Sequence, residues 1–466
     1  MKRRTFTQLS GYFFASLSAS SILASCGRRS SSPSGLDRDP DETLKVWWQE
    51  GFYPEEIDAL RQIIADWEAD SGLAIDLSVI PQKDILLEVN QALAAGNLPD
   101  VLYSGSADLT IIPKLAWENR LAEVSDVVLP QQDKYSQNAL AGVSYQNEAL
   151  GAGIRGYYAV PLMQSAIHIH YWEDMLINTI GESRQTIPSD WDAFWEFWLA
   201  AQPELTSAGA TDTYSLGMPM SLSLDTYNNF EQFLEAYDVQ ILSESGELRL
   251  EDSDVRQGLI AALTDYSRFF QAEAVPPDAV DWDNTGNNVS LLSRNSLMTV
   301  NHTLSAPGSQ RSDDEIYYER LSTVKWPDKP SGEPMRFVIE IKQAVLFADS
   351  NRQAAAKSFL THLSQPENLA AYTEGAQGRY LPAMPELFEQ PFWQDPKDRH
   401  ISVALEQLDN TRPAYQATNP AYGEVAAQNV WGKTMRSIAL ETSSVEQAAD
   451  EAIADIQRIF TEWQTS

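Results

Sequence analysis

"LKVWWQEGFYPEEIDALRQIIADWEADSGLAIDLSVI", residues 44–80, decides the fold. Residues 44–49 form a short run of strand-forming side chains. From residue 54 to 70 the period changes. Ile57, Leu60, Ile64 and Trp67 recur at 3-4-3 spacing, which sets them on one helical face. Pro54 stands near the start of that helix and Gly72 just past its end, the positions each residue favours. Residues 73–80 then alternate as a strand. Working outward, residues 84–95 are helical again, stop at Gly96-Asn97, and lead to a third strand at 101–103. The order β-α-β-α-β predicts a parallel, right-handed α/β layer. In such sheets ligands lie beyond the carboxyl ends of the strands. Those ends are Trp48-Gln49-Glu50 and Tyr103-Ser104-Gly105.

The mixture continues along the chain. Residues 157–172 (YYAVPLMQSAIHIHYW) are a long β-rich stretch, and residues 190–201 a helix rich in Trp and Phe. Residues 255–271 read as helix, 296–301 and 337–346 as strands, and 351–364 and 444–463 as helices. Some 424 of the 466 residues follow residue 42, more than one ordinary core encloses, so two lobes are expected. No internal repeat is evident.

The first residues have another character. Lys2, Arg3 and Arg4 make a cationic head, residues 12–24 are uncharged, and Ala24 and Ser25 precede the only cysteine, Cys26. This is the layout of an export signal. Its apolar run is about 13 residues, short of the roughly 20 that a spanning helix needs. A buried N-terminal helix would not carry that head or the polar linker behind it. Leu23-Ala24-Ser25-Cys26 resembles the bacterial lipoprotein box, in which cleavage leaves the cysteine first with a diacylglycerol on its thiol. Arg3-Arg4-Thr5-Phe6 resembles the twin-arginine export motif, although Gln8 replaces the usual lysine. Residues 1–25 are thus read as signal peptide and 26–43 as a lipidated Cys26 with a flexible tether rich in Ser and Pro. With Cys26 so used, disulfides and thiol catalysis drop out.

The chain carries 66 acidic and 33 basic residues, a net charge of −33. Such a surface repels nucleic acid and anionic headgroups, so neither is an expected partner. Its 13 tryptophans suit a sugar binder and a large core equally. No phosphate loop, G-x-S-x-G or H-E-x-x-H is present. His168 and His170 share a strand face, but zinc needs a third ligand. Asp281-Trp282-Asp283-Asn284-Thr285-Gly286 begins like a calcium loop, yet Leu292 stands where a bidentate Glu is required. No metal or cofactor is expected.

Several ordered markers carry a family resemblance. They are Asn97-Leu98-Pro99-Asp100-Val101; Ala159-Val160-Pro161 before a strand ending His170-Tyr171-Trp172; Pro188-Ser189-Asp190-Trp191-Asp192-Ala193-Phe194; and Ser296-Leu297-Met298. Further on come residues 354–360 (AAAKSFL), Gly378-Arg379-Tyr380-Leu381-Pro382, and Ser443-Ser444-Val445-Glu446-Gln447-Ala448. From Leu44 to the end the chain resembles the extracellular solute-binding proteins of ABC importers, in the family that includes the maltose-binding proteins. Ser293 and His170 depart from that pattern.

The resemblance implies a two-lobed periplasmic-binding-protein fold of type II, with a ligand cleft between lobes joined by crossing strands. One lobe would take residues 44–164 and 288–337, the other 165–287 and 338–466. It implies capture of a sugar, an oligosaccharide or disaccharide or a related glycoside or polyol, by hinge closure and delivery to permease transmembrane subunits. The protein would be a monomer at the outer face of the cytoplasmic membrane, held only by its lipid. The candidate ligand-binding residues are Trp48, Glu50 and Tyr53 after the first strand; Asp108 after the third; Asp225 and Tyr227 in a polar loop; and Trp282. Asn301 and His302 end a later strand, Arg379 lies in the glycine turn, and Tyr422 and Trp431 stand near a late helix. Sugar hydroxyls need donors and acceptors, and ring faces need aromatic platforms. A secreted glycoside hydrolase and a ligand-sensing receptor component are the competing readings. The first turns on the separation of two carboxylates.

Overall fold

The computed structural model describes residues 43–151 and 153–465. The signal peptide of residues 1–25, the lipidation of Cys26 and most of the tether lie outside the described residues. In chain order the strands are β1 Thr43–Gln49, β2 Ala74–Ile80, β3 Val101–Tyr103, β4 Ser144–Gln146, β5 Arg155–Tyr157 and β6 Val160–Ser165. They continue as β7 His168–Trp172, β8 Tyr214–Gly217, β9 Ser296–Asn301, β10 Leu321–Val324, β11 Phe337–Leu346, β12 Leu381–Pro382 and β13 Thr411–Pro413.

The opening β-α-β-α-β forms as its periodicity dictates. Helix Pro54–Ser71 buries Ile57, Leu60, Ile64 and Trp67 and ends where Gly72 adopts the left-handed φ of 73°. Parallel pairing sets Val46 of β1 beside Leu77 of β2 and Val101 of β3. β11 then joins β3 antiparallel, and β6 joins β11, giving the order β12-β6-β11-β3-β1-β2. Helices Gln353–Leu363 and Pro366–Gly375 add Phe359, Leu360 and Leu369 to the same core. This sheet and its helices make the first lobe.

A second sheet runs β10-β7-β9-β8. Helices Trp191–Ser207, Leu224–Ala236 and Ser253–Gln271 cover it with an aromatic core. Trp195 lies 4.8 Å from Phe269, and Phe233 lies 4.9 Å from Tyr266. Much of the tryptophan content is therefore core in this second lobe.

The β-rich stretch 157–172 divides between the sheets, because β6 belongs to the first and β7 to the second. Residues 166 and 167 are one crossing. β11 is another: Phe337–Ile339 pair with β13, and the strand then runs on into the first sheet. Residues 383–410 make the third, over a small cluster of Leu304, Leu381, Trp393, Ile401 and Ala404.

The middle of the expected lobe division is reversed. Residues 288–337 were assigned to the first lobe, but β9 lies between β7 and β8, and β10 pairs with β7. Residues from 338 were assigned to the second, but β11, β12 and the helices between them build the first. Only from β13 onward does the chain return to the second core. Strand partnership is a long-range choice that local periodicity does not encode.

Candidate functional site

A cleft opens between the lobes where β1 and β3 end at their carboxyl edges. Gln49, Gly105 and Ser106 line it, as the parallel-sheet rule predicts. The Gln49 amide oxygen accepts from the Ser104 hydroxyl at 3.2 Å and is thereby held in place. Opposite, helix Leu224–Ala236 starts at Ser223, whose side chain caps the Thr226 N–H. This cap aims the first turn, with Asp225 and Asn228, into the space. The Asn284 side chain caps the same turn by accepting from the Leu224 N–H at 2.8 Å, and also lines the cleft. Asn288, Asn301, Thr303 and Ser305 complete a wall of amides and hydroxyls, faced by the rings of Phe52 and Tyr380. The space a water can occupy inside the cleft is about 70 Å³.

Its charges sit on β11. Glu340 and Lys342, two residues apart, point to one side of the strand, and Lys342 Nζ lies 2.7 Å from Glu340 Oε2. His302 Nε2 stands 3.4 Å from Glu340 Oε1. Burial raises the Glu340 carboxyl, but His302 and Lys342 outweigh burial and hold it below the usual range. Burial lowers the Lys342 amine, and Glu340 more than reverses that. Burial also lowers the His302 imidazole to about 4, against the pull of Glu340. Asp225 makes no ion pair among the described residues, and the pull of Lys342 on it is outweighed. Burial, with Glu340 and Asp283 nearby, pushes its carboxyl up to about 8. At neutral pH it is largely protonated.

The structure brings Asp225, Asn301 and His302 to the cleft wall. Glu50 and Trp282 stand at the mouth, in flanking depressions that share Gln82 and Asn284 with the cleft. Tyr53 bridges the cleft edge by donating its hydroxyl to the Ser305 carbonyl at 2.7 Å. Tyr227 lines a smaller chamber behind the cleft, with Glu231 and Gln416.

Five expected residues lie elsewhere, and their contacts say why. Trp48 is fully buried, stacks on Tyr103 at 4.5 Å and donates to the Tyr372 hydroxyl at 2.8 Å. Tyr372 in turn donates to Glu56, whose carboxylate takes Arg379 at 2.7 and 3.0 Å. Arg379 is thus a core cation, sandwiched between the Phe52 and Tyr380 rings at 4.5 and 4.3 Å. It positions two cleft rings without lining the cleft. Gly51 leaves room for Glu56, since a Cβ there would come 2.3 Å from its Oε2. Tyr422 donates to Glu231 at 2.7 Å and receives from the Trp431 indole at 3.2 Å, which ties both into the second core. Asp108 is buried with neither oxygen hydrogen-bonded, and burial raises its carboxyl well above the usual range. Lys342 and Glu340 act on it, and it does not line the cleft.

The sequence reading placed Gln49 at a ligand-facing strand end but missed Phe52, Tyr380, Glu340 and Lys342. For the last two there was a signal: opposite charges at even spacing inside an apolar strand, FVIEIKQAVL. The His168–His170 pair has no metal geometry. Among the described residues no group of three or more His, Cys, Asp or Glu is placed to hold a metal ion. No described helix is long and apolar enough to cross a membrane.

Two α/β lobes, strands that cross between them and a polar cleft at the crossing define a two-lobed solute-binding architecture. Residues 62–400 match the family model for bacterial extracellular solute-binding proteins, and the chain belongs to that family. Comparison with curated proteins gives no sequence match. Among solved structures, an ABC-transporter solute-binding protein from Thermotoga lettingae bound to α-D-tagatose superposes with a TM-score of 0.73. It is 16% identical, over 90% of this chain and 99% of that one. Maltose-bound MalE3 of T. maritima gives 0.71 at 16% identity, over 89% of this chain and 100% of its own. The GacH receptor of Streptomyces glaucescens, solved unliganded and with acarbose, gives 0.70 at 16%, over 90% and 98%. At these identities the likeness establishes the fold.

Proposed function

We propose that this chain captures a sugar, as an oligosaccharide or disaccharide or as a related glycoside or polyol, in the cleft between its lobes. The observation that carries the reading is the pairing of amides, hydroxyls and Asp225 with the Phe52 and Tyr380 rings across one cavity. Amides and carboxylates match the alternating donors and acceptors of sugar hydroxyls, and the rings match apolar sugar faces. The ligands named for the similar structures, tagatose, maltose and acarbose, support the same class. Closure about the three crossings traps the solute and is favoured only by contacts made in the closed form. The loaded protein then delivers it to the transmembrane subunits of an ABC importer, acting as a monomer tethered outside the cytoplasmic membrane through Cys26.

A glycosidase needs two carboxyls across the bond with pKa values pushed apart. Asp225 is raised and Glu340 lowered, so hydrolysis is the second reading that the test must separate from binding. Calorimetric titration with mono- and disaccharides and polyols, with product release followed in parallel, tests the reading. Saturable binding to at least one and no turnover supports it, and sugar cleavage would replace it with hydrolysis. Incorporation of a labelled fatty acid, lost in Cys26→Ala, tests the anchor.

A further inference from the structure

Four of the chain's five histidines, His168, His170, His302 and His400, are buried near one junction. The His168 and His170 rings lie 6.2 Å apart, and those of His170 and His400 6.3 Å. Antiparallel register sets Thr323 of β10 opposite His170 of β7. Helix Arg399–Glu406, on the third crossing, brings His400 to the other side of the same hydroxyl.

Four contacts result. His170 Nδ1 is 2.8 Å from Thr323 Oγ1, and His400 Nδ1 is 2.6 Å from it. His170 Nε2 faces the Thr303 carbonyl at 3.2 Å, and His400 Nε2 faces the Tyr317 carbonyl at 3.0 Å. Each contact needs one hydrogen between its heavy atoms. A carbonyl only accepts, so both Nε2 atoms carry hydrogen, and two neutral rings then present two bare Nδ1 atoms. The single Thr323 hydroxyl hydrogen serves one of them. Neutral, the trio holds three hydrogens for four contacts. One more proton, on either Nδ1, satisfies all four.

We infer that His170, Thr323 and His400 form a binding site for a single proton, and that its occupancy is transmitted to the ligand cleft through Thr303. Thr303 lines the cleft between His302 and Ser305, so the trio grips the cleft loop directly.

The surroundings oppose a charge. Burial, then His400, lowers His170 to about 3. Burial lowers His400 to about 4, with Arg311 and Arg399 acting the same way. Each arginine is tied to a carboxylate, Arg311 to Asp398 and Arg399 to Glu173. The Tyr317 ring lies 4.8 Å from His400, with its hydroxyl donated to Asp398. His168 flanks the site on β7, and the Lys325–Glu406 and Tyr318–Asp395 pairs lie outside it. The fourth hydrogen bond works against all of these. A hydrogen bond to a charged ring is worth about one to two pH units, so it lifts the shared proton to about pH 4–6, with uptake as pH falls. The inference does not depend on which solute the cleft takes.

Nuclear magnetic resonance of the chain labelled with ¹⁵N-histidine tests it, with ¹³C at the Thr303 carbonyl. We expect one shared protonation of His170 and His400 between about pH 4 and 6, with the Thr303 carbonyl shift following the same curve. Thr323→Val, which removes the hydroxyl, should abolish it, and Thr323→Ser should restore it. If both rings stay neutral down to about pH 4, or if Thr323→Val titrates like the parent, the proton site is wrong. A titration that leaves the Thr303 carbonyl unmoved would overturn the transmission. Should Thr323→Val not fold, the parent and Thr323→Ser curves still decide.

Discussion

Between the ordinary carboxyl range and about pH 8, the folded chain keeps a proton on Asp225 that the unfolded chain has released. The native state binds more protons across that window, so Asp225 lowers stability as pH rises through it. Asp225→Asn should therefore raise the melting temperature near pH 8.5 more than near pH 5, read from paired melting curves. Above about pH 8, where Asp225 is ionised, the same substitution should weaken solute binding about tenfold or more, roughly 1.4 kcal/mol, because one neutral amide oxygen replaces two charged acceptors. Solute affinity of the parent should rise with pH through about 8 as the acceptor ionises, and the variant should lose that slope. Arg379 belongs to the opposite kind of residue. Its removal leaves Glu56 buried without its cation, and Arg379→Ala should cost about 3–5 kcal/mol in urea unfolding. From sequence these two looked alike, a charged residue in a polar turn. Asp225 is separated from Arg379 by what each meets in space, and the partners Glu56 and Tyr372 are remote in the chain.

At the scale of elements, periodicity was enough for the opening layer. Residues 54–70 and 73–80 needed only their own spacing, and the cleft end of β1 followed from the parallel rule. It was not enough for β11. That strand reads as an apolar run, and its partners β3 and β6 are chosen from far away. Pro161 of β6 has no N–H to give, and the β6–β11 register shifts at Lys342/Gln343. The shift comes after Lys342, so Glu340 and Lys342 keep one face. Lys342→Met would remove one of the two groups that hold Glu340, leaving His302, and should destabilise the fold by about 3–5 kcal/mol, seen as an earlier urea midpoint. Helix packing makes a separate point. A Cβ on Gly375 would lie 2.7 Å from the Glu55 carbonyl and 2.9 Å from Ala59 Cβ, where helices Pro54–Ser71 and Pro366–Gly375 touch. Gly375→Ala should cost about 1–3 kcal/mol in urea unfolding and leave the cleft chemistry unchanged.

For the whole molecule, the class of fold was legible and the division of the chain was not. Two lobes followed from length and from the family resemblance. Which strands belong to which lobe depended on three crossings, and the division drawn from the resemblance took the wrong return path. The tryptophans tell a related story. Trp191, Trp195 and Trp198 fill the second core, while the rings that line the cleft are Phe52 and Tyr380. Closure about the crossings should reduce the radius of gyration in small-angle scattering when solute saturates the cleft. The most direct test of the central claim is a calorimetric titration of the purified chain with a panel of sugars and polyols, each run assayed for cleavage. We expect single-site saturable binding of at least one of them, no product, and, above about pH 8, weaker binding in both Asp225→Asn and Phe52→Ala. Affinity unchanged in both variants, or turnover of the bound sugar, would contradict the claim.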